Sequence, residues 1–233
     1  LFEGLCRIDE DGETVPGVAR RWESNQDATE FTFYLRPKAQ WSNGDPVTAD
    51  DFVFAITRAL NPGTGSVAED MLSLVNARAY AAGEVDASAL GVYAEDEHTL
   101  VIRLEESNPD FPALTAGTHY MPCNRSYFEA CAGHYGLSSQ YVISNGPFTF
   151  SSVYAWQTDP GERSLRLTRS DTYRGDRTVQ PANVTFLIDY DDAYDQDPVQ
   201  ALLEGNVDIL TLPETLAQQA EEAGCGVLSL DDA

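Results

Sequence analysis

The sequence is poor in basic residues. Its 233 residues include 14 lysines and arginines against 38 aspartates and glutamates, which gives a net charge of −24, and Lys38 is the only lysine. Nucleic-acid phosphates and anionic lipid surfaces are bound through basic patches, so this balance argues against both as partners. Two interpretations of the acidic surface stay open. The acidic surface is heavily solvated and keeps the protein soluble, or its negative electrostatic potential attracts cationic peptides.

Long apolar runs are also missing, and cysteines are few. No stretch approaches the roughly 18 apolar residues of a membrane-spanning helix, and the chain does not open with a signal-peptide pattern. Of the four cysteines, Cys123 and Cys131 flank a predicted short helix that separates them by about 12 Å, too far for a disulfide. Cys6 and Cys225 could meet only through the fold. We expect mostly buried thiols, with one bridge as the alternative.

Motifs of catalysis, nucleotide binding and metal binding are absent from the sequence. There is no Gly-x-Ser-x-Gly elbow, Walker loop, GxGxxG or HExxH, and the histidines at 98, 119 and 134 are isolated. The acidic run 189–197 fails as an EF-type calcium loop because Tyr194 and Gln200 occupy the glycine and glutamate positions. We therefore predict a protein that is not an enzyme, with no catalytic residues, no metal and no cofactor.

A turn followed by a capped helix is the most specific local pattern. Asn43-Gly44 tolerates positive φ and predicts a chain reversal after the alternating strand pattern of residues 30–36. Thr48 precedes Asp51 by three residues, a carboxylate form of the capping box, so a helix is predicted over 49–60. Its apolar face comprises Phe52, Ala55, Ile56 and Ala59.

The rest of the chain predicts a mixed α/β (α+β) domain. A second helix is predicted over 68–82, a hairpin over 91–104 and a short helix over 126–132. Strands are predicted at 146–154, 165–169, 184–189 and 207–211, and helices at 193–204 and from Pro213 to residue 223. Helix, glycine, short strand and helix at 193–223 form a crossover pattern, which places the end of strand 207–211 at a sheet edge.

Collinear segments carry a resemblance to a known family. The chain resembles the extracytoplasmic solute-binding proteins of peptide-type ABC importers, the oligopeptide- and dipeptide-binding family. The matching segments are Leu1-Phe2-Glu3-Gly4-Leu5, Val15-Pro16-Gly17-Val18-Ala19, Trp22, 31–36, Trp41-Ser42-Asn43-Gly44, 46–52, 99–104, Asn145-Gly146-Pro147-Phe148 and 203–209.

The resemblance implies a fold and a division into domains. It implies a lobe of the type II periplasmic-binding-protein fold, peptide-binding cluster, truncated before the second lobe. Residues 1–124 would form an α+β subdomain inserted in the first lobe, and residues 125–233 part of the main first lobe with a mixed sheet. The second lobe would be absent from this fragment and would be a partner within the intact protein.

The resemblance also implies a function. The protein would capture short peptides outside the membrane, in the periplasm or as a cell-surface lipoprotein, and deliver them to a membrane ABC permease as its two lobes close. Another solute, such as a nickel chelate, an oligosaccharide or an opine, is an alternative. A receptor that reports a peptide signal without transport is a further alternative.

Two segments and one loop are candidate ligand-binding sites. Thr211, Leu212 and Pro213 follow the predicted strand end, where an extended peptide could add by strand-type hydrogen bonding, although Leu212 could equally be core and Pro213 a helix start. Asn145 and Gly146 lie, by resemblance, near the cleft floor, where Gly146 would let the backbone approach a ligand, or they form an architectural turn. A third candidate is the loop 63–68, where Ala68 stands near the position of a ligand-stacking aromatic residue in some relatives.

Overall fold

The computed structural model of the protein describes residues 1–64, 69–157, 164–175, 178–188 and 197–227. Its strands are β1 Cys6–Ile8, β2 Thr14–Pro16, β3 Ala19–Ser24, β4 Glu30–Leu35, β5 Val92–Asp96, β6 Thr99–Arg103, β7 Phe148–Phe150, β8 Trp156–Gln157, β9 Ser164–Arg169 and β10 Asn183–Leu187. Its helices are α1 Ala49–Ala59, α2 Ala77–Ala81, α3 Phe111–Leu114, α4 Arg125–Ala130, α5 Pro198–Leu203 and α6 Glu214–Glu222. Among the helices in these ranges, none has the length and apolar character needed to cross a membrane.

The predicted turn and capped helix are confirmed. Gly44 has φ 92°, a conformation that glycine adopts without strain, and α1 begins at Ala49 after the cap residue Thr48. The Thr48 N–H donates to Oδ2 of Asp51 at 2.9 Å, as the capping-box pattern predicted. The indole N–H of Trp41 donates to the same oxygen at 3.0 Å, which connects the turn to the first turn of the helix.

The central sheet of the described chain is antiparallel, in the order β3-β4-β6-β5. The alternation predicted for β4 is confirmed, because Phe31, Phe33 and Leu35 are buried while the intervening residues are only half-buried. Phe52 and Ile56 of α1 belong to the same buried core. The strand–turn–helix pattern therefore builds the hydrophobic centre of this part of the chain.

Two further sheets accompany the central one in the described residues. β1 and β2 form an antiparallel hairpin, and β10, β9 and β7 form a second sheet in that order, with β8 also paired to β9. The chain divides into two compact units, one of Leu1–Trp156 with Arg166–Thr185 and one of Gln157–Leu165 with Phe186–Ala233. The boundary predicted near residue 125 falls within the first unit, and that domain division stays a prediction.

The single helix predicted over 68–82 is wrong. The described part of this stretch forms a 3₁₀ turn at Glu69–Ser73 and the separate helix α2. Between them, Leu74 pairs with Leu104 in an isolated antiparallel bridge, and the Val75 N–H donates to the Arg103 carbonyl at 2.9 Å. Pairing with a distant strand outweighs the helical spacing of apolar residues here, and Asn76, at φ 61°, precedes the new helix.

The strand predicted over 207–211 is also wrong. A strand requires a neighbour for its backbone groups, and no described residue pairs with this segment. Ile209 is 88% exposed rather than packed in a core. The flanking helices α5 and α6 are present and Gly205 ends α5 at φ 73°, so the crossover pattern lacks only its strand.

The remaining predicted elements differ mainly in their ends. The 91–104 hairpin is confirmed as β5 and β6, and the short helix after Asn124 as α4. The strand predicted over 146–154 is confined to β7, because a turn occupies residues 151–154. The four cysteines are free thiols, and Cys225 alone among them is half-buried rather than buried.

Candidate functional site

The Asn145 side chain clamps the N-terminal segment of the chain. Its Oδ1 accepts a hydrogen bond from the Glu3 N–H at 3.1 Å, and its Nδ2 donates to the Glu3 carbonyl at 2.9 Å. The Gly146 N–H donates to the Leu1 carbonyl at 2.8 Å. Both Asn145 and Glu3 are buried, at 4% exposure each. One amide side chain therefore satisfies both backbone groups of a residue 142 positions away.

Close approach of two backbones explains the glycine at position 146. A Cβ atom built there would lie 2.7 Å from the Leu1 carbonyl oxygen and 3.0 Å from the carbonyl carbon of Phe2. Real Cβ contacts essentially never fall below 3.0 Å. Sequence reasoning expected the Gly146 backbone to come close to another group, and the group that the structure places there is the N-terminal segment.

The Glu3 carboxylate joins two further segments to this clamp. Tyr173 donates its hydroxyl hydrogen to Oε1 of Glu3 at 2.6 Å, and the Arg36 guanidinium forms an ion pair with Oε2. The Glu3 side chain is 3% exposed and that of Arg36 is 14% exposed. We call Glu3, Arg36, Asn145, Gly146 and Tyr173 the Glu3 cluster. Its pairing matters because a buried carboxylate without partners would be strongly unfavourable.

The Glu3 cluster is enclosed rather than open. Nε and Nη1 of Arg36 are buried and have no hydrogen-bond acceptor among the described residues. On the other side of the segment, the Val18 N–H donates to the Gly4 carbonyl at 2.8 Å. The N-terminal segment is thus held by residues 17–19 on one side and by Asn145 and Gly146 on the other. Chemically, the cluster can orient this backbone and neutralise a buried charge.

Sequence reasoning found part of this cluster and missed the rest. Asn145 and Gly146 were predicted as site residues and do lie together, whereas Glu3, Arg36 and Tyr173 were not singled out. A glutamate between the apolar residues of Leu1–Leu5 was a signal for a buried acid that needs a partner. No sequence pattern marked Tyr173, which lies 170 positions from Glu3. The contact of Asn145 and Gly146 with a ligand stays a prediction.

The second predicted site, Thr211 to Pro213, lies in the other compact unit. Thr211 and Pro213 are exposed and Leu212 is half-buried, and Pro213 is the cap residue of α6. The backbone of residues 207–211 has no pairing partner among the described residues. The geometry here is an accessible, irregular segment that leads into a helix.

A shallow hollow lies at the start of α1. It is lined by Asp45, Pro46, Thr48, Asp50, Asp51, Asn124, Arg125 and Ser126. Burial raises the pKa of the Asp51 carboxyl above its usual range, and the hydrogen bonds from Thr48 and Trp41 only partly offset that effect. The buried carboxylate therefore serves the cap and the indole of Trp41 rather than the open face of the hollow.

Other features considered from the sequence supply no further site. No group of three His, Cys, Asp or Glu side chains in the described ranges could hold a metal ion. Residues 65–68 of the predicted loop, with Ala68, and residues 189–196 of the acidic run lie outside the described residues. Of the histidines, His119 has its Nδ1 3.7 Å from Asp70, and His134 stacks on Tyr141 with its Nδ1 3.1 Å from the Cys131 carbonyl oxygen.

Comparison with known proteins places this fold in a family. Residues 13–227 match the family described as bacterial extracellular solute-binding proteins, family 5 Middle. The chain belongs to this family. It is 30% identical to the dipeptide-binding protein DppE of Bacillus subtilis over 220 residues, which is 94% of this chain and 39% of DppE. It is 40% identical over 151 residues to the probable deoxycholate-binding periplasmic protein YgiS of Escherichia coli, 64% of this chain and 28% of YgiS.

A solved structure agrees with this family membership. The crystal structure of Haemophilus influenzae OppA complexed with the peptide RPPGFSPFR superposes with a TM-score of 0.82 at 29% identity. The overlap covers 96% of this chain and 43% of that protein. The predicted fold class, a lobe of the periplasmic-binding-protein type, is confirmed. The chain spans about two fifths of the length of this relative.

Proposed function

We propose that this chain forms part of the first lobe of an extracytoplasmic protein that captures short peptides for a membrane ABC permease. The observation that carries the proposal is the family match over residues 13–227, together with the overlap on a peptide-bound relative. The chain would supply one wall of the cleft, and closure of a second lobe over the ligand would present the complex to the permease. No catalytic role is assigned, because this family consists of solute-binding proteins.

The segment before α6 is the part of the chain best suited to contact an extended peptide. Thr211 is exposed, and its segment pairs with no described strand, so its N–H and C=O groups are free to form strand-type hydrogen bonds with a peptide. Such bonds provide affinity without reading the side chains of the peptide. Asn145 and Gly146 would act differently, by setting the position of the N-terminal segment through the Glu3 cluster.

Two alternatives have their own support. YgiS is named for deoxycholate, so a non-peptide solute is a real candidate, as are a nickel chelate, an oligosaccharide or an opine. A receptor that reports a peptide signal is the second alternative. Adjacent permease and ATPase genes would favour transport, whereas an adjacent sensor kinase gene would favour signalling. The proposed location is the periplasm or the cell surface as a lipoprotein.

Calorimetric titration of the protein that carries this chain tests the ligand class. The ligands are alanine peptides of two to five residues, deoxycholate, nickel–histidine and maltotriose. Heat with the peptides alone supports the proposal. Heat with another ligand and none with any peptide refutes peptide capture.

Two substitutions at one position test the role of the backbone. Thr211→Pro removes the N–H and is expected to weaken peptide binding about tenfold, the effect of one hydrogen bond. Thr211→Ala keeps the N–H and serves as the matched control, with affinity expected to be unchanged. Circular dichroism checks that both variants fold. Equal affinities for the two variants would refute the contact at Thr211 while leaving the ligand class intact.

A further inference from the structure

The protein carries far more surface carboxylates than cations able to pair with them. Its net charge is −24, from 38 acidic and 14 basic side chains. In the described part of the chain, arginines form ion pairs with carboxylates at Arg21–Glu23, Arg36–Glu3, Arg78–Glu69 and Arg103–Glu30. Most acidic side chains in these ranges have no cationic partner, so repulsion among them is not cancelled locally.

The fold concentrates several of these unpaired carboxylates at turns. Glu10, Asp11 and Glu13 are exposed on the turn between β1 and β2. Glu95 is exposed near the end of β5, and Glu97 is exposed on the turn between β5 and β6. None of these five side chains accepts a hydrogen bond or forms an ion pair with a described residue. The folded chain confines its excess of negative charge to a compact surface, whereas an unfolded chain moves the charges of distant segments apart.

Backbone contacts bring one of these turns to a further acidic segment. The Ala49 N–H, at the start of α1, donates to the Glu97 carbonyl at 2.9 Å. The first turn of α1 carries Asp50, which is exposed, and Asp51. The α1 N-terminus favours carboxylates beside its first turn, but that effect falls off within one turn and offsets only part of the repulsion.

Salt acts on attraction and repulsion alike, so their balance decides the sign of its effect. Salt bridges between exposed groups contribute little to stability and weaken only slightly when screened. The repulsion of a large net charge extends over a Debye length, about 30 Å at 0.01 M salt and about 3 Å at 1 M. Repulsion among charges of one sign opposes the compact state more than the expanded one, and this chain has 38 acidic side chains against 14 basic ones. We propose that the folded state of this protein depends on screening by salt, through its unpaired surface carboxylates.

Thermal unfolding at rising salt tests the dependence. The melting temperature, measured by circular dichroism at pH 7, is expected to rise by about 10 °C or more between 0.02 M and 1 M NaCl. KCl at the same concentration should act equally, because screening does not depend on the identity of the cation. A melting temperature that stays constant or falls would refute the proposal. Full stabilisation by millimolar Ca²⁺ or Mg²⁺, with no effect of NaCl, would also refute it, by indicating a specific cation site.

Two sets of charge variants separate screening from general effects of salt on proteins. Glu10→Gln, Glu95→Gln and Glu97→Gln together lower the magnitude of the net charge and should reduce the slope of melting temperature against log salt. Arg20→Gln with Lys38→Gln raises that magnitude and should steepen the slope. The five side chains that these two sets replace are all exposed, and none of them forms a hydrogen bond or an ion pair with a described residue. Parallel slopes in both variants and the parent would overturn the proposal.

Discussion

The Asn145 clamp allows a prediction whose magnitude can be worked out. Asn145→Ala removes the acceptor for the Glu3 N–H and the donor to the Glu3 carbonyl, and both of these backbone groups are buried. Leaving a buried polar group without a partner costs about 1–3 kcal/mol. For two such groups, with some relaxation of the N-terminal segment, we expect the free energy of unfolding to fall by about 3 kcal/mol. In a chain of this length that loss lowers the melting temperature by about 6–12 °C.

Urea unfolding followed by tryptophan fluorescence measures this loss. Asn145→Asp provides a second variant, because it keeps an acceptor for the Glu3 N–H but loses the donor to the carbonyl, and it should be destabilised at neutral pH as well. Asn183→Ala is the matched control: Asn183 is exposed, its side chain bonds to no described residue, and the change should lie within about 0.5 kcal/mol of the parent.

Stability and ligand binding together distinguish two roles for Asn145. If the free energy of unfolding of Asn145→Ala lies within about 0.5 kcal/mol of the parent value, the clamp contributes little to stability, and the reasoning from buried backbone groups is refuted. If stability is kept while peptide affinity is lost, Asn145 contacts the ligand directly. A large loss of stability with unchanged affinity in the remaining folded protein identifies an architectural residue.

Two further predictions concern close packing and a buried charge. Gly146→Ala should lower the free energy of unfolding, measured in urea, by about 1–3 kcal/mol, because the new Cβ would lie 2.7 Å from the Leu1 carbonyl oxygen. Gly226→Ala is the control, since a Cβ at that position meets nothing within 4 Å. Equal stabilities would contradict the close approach. For Asp51, whose pKa is raised by burial, the charged form is disfavoured in the folded state, so its contribution to stability falls as pH rises through the folded pKa. The free energy of unfolding of Asp51→Asn should therefore lie closer to that of the parent, or exceed it by more, at pH 7 than at pH 4. Asp51→Ala leaves the Trp41 and Thr48 N–H groups without their acceptor, so its free energy of unfolding should fall by about 2–4 kcal/mol at pH 7. A larger deficit for Asp51→Asn at pH 7 than at pH 4 would refute the assigned direction of the shift.

The predicted elements agree with the structure where interactions between residues close in sequence determine them. The Asn43-Gly44 turn, the capping of α1 by Thr48 and Asp51 and the alternation of β4 depend on residues within about four positions of one another. The helix predicted over 68–82 failed because the pairing of Leu74 with Leu104 lies outside any such window. The strand predicted over 207–211 failed for the complementary reason, since no described neighbour pairs with it.

The sequence by itself determined the family, the charge and the local elements, because turn residues, caps and periodicity act over short distances. Only the tertiary structure decided what the candidate site is made of. Glu3 meets Asn145 across 142 positions and Tyr173 across 170, and no local rule specifies such contacts. The physical reason is burial: once the N-terminal segment is enclosed, its backbone groups and its carboxylate must find partners, and the folded chain supplies them from distant segments.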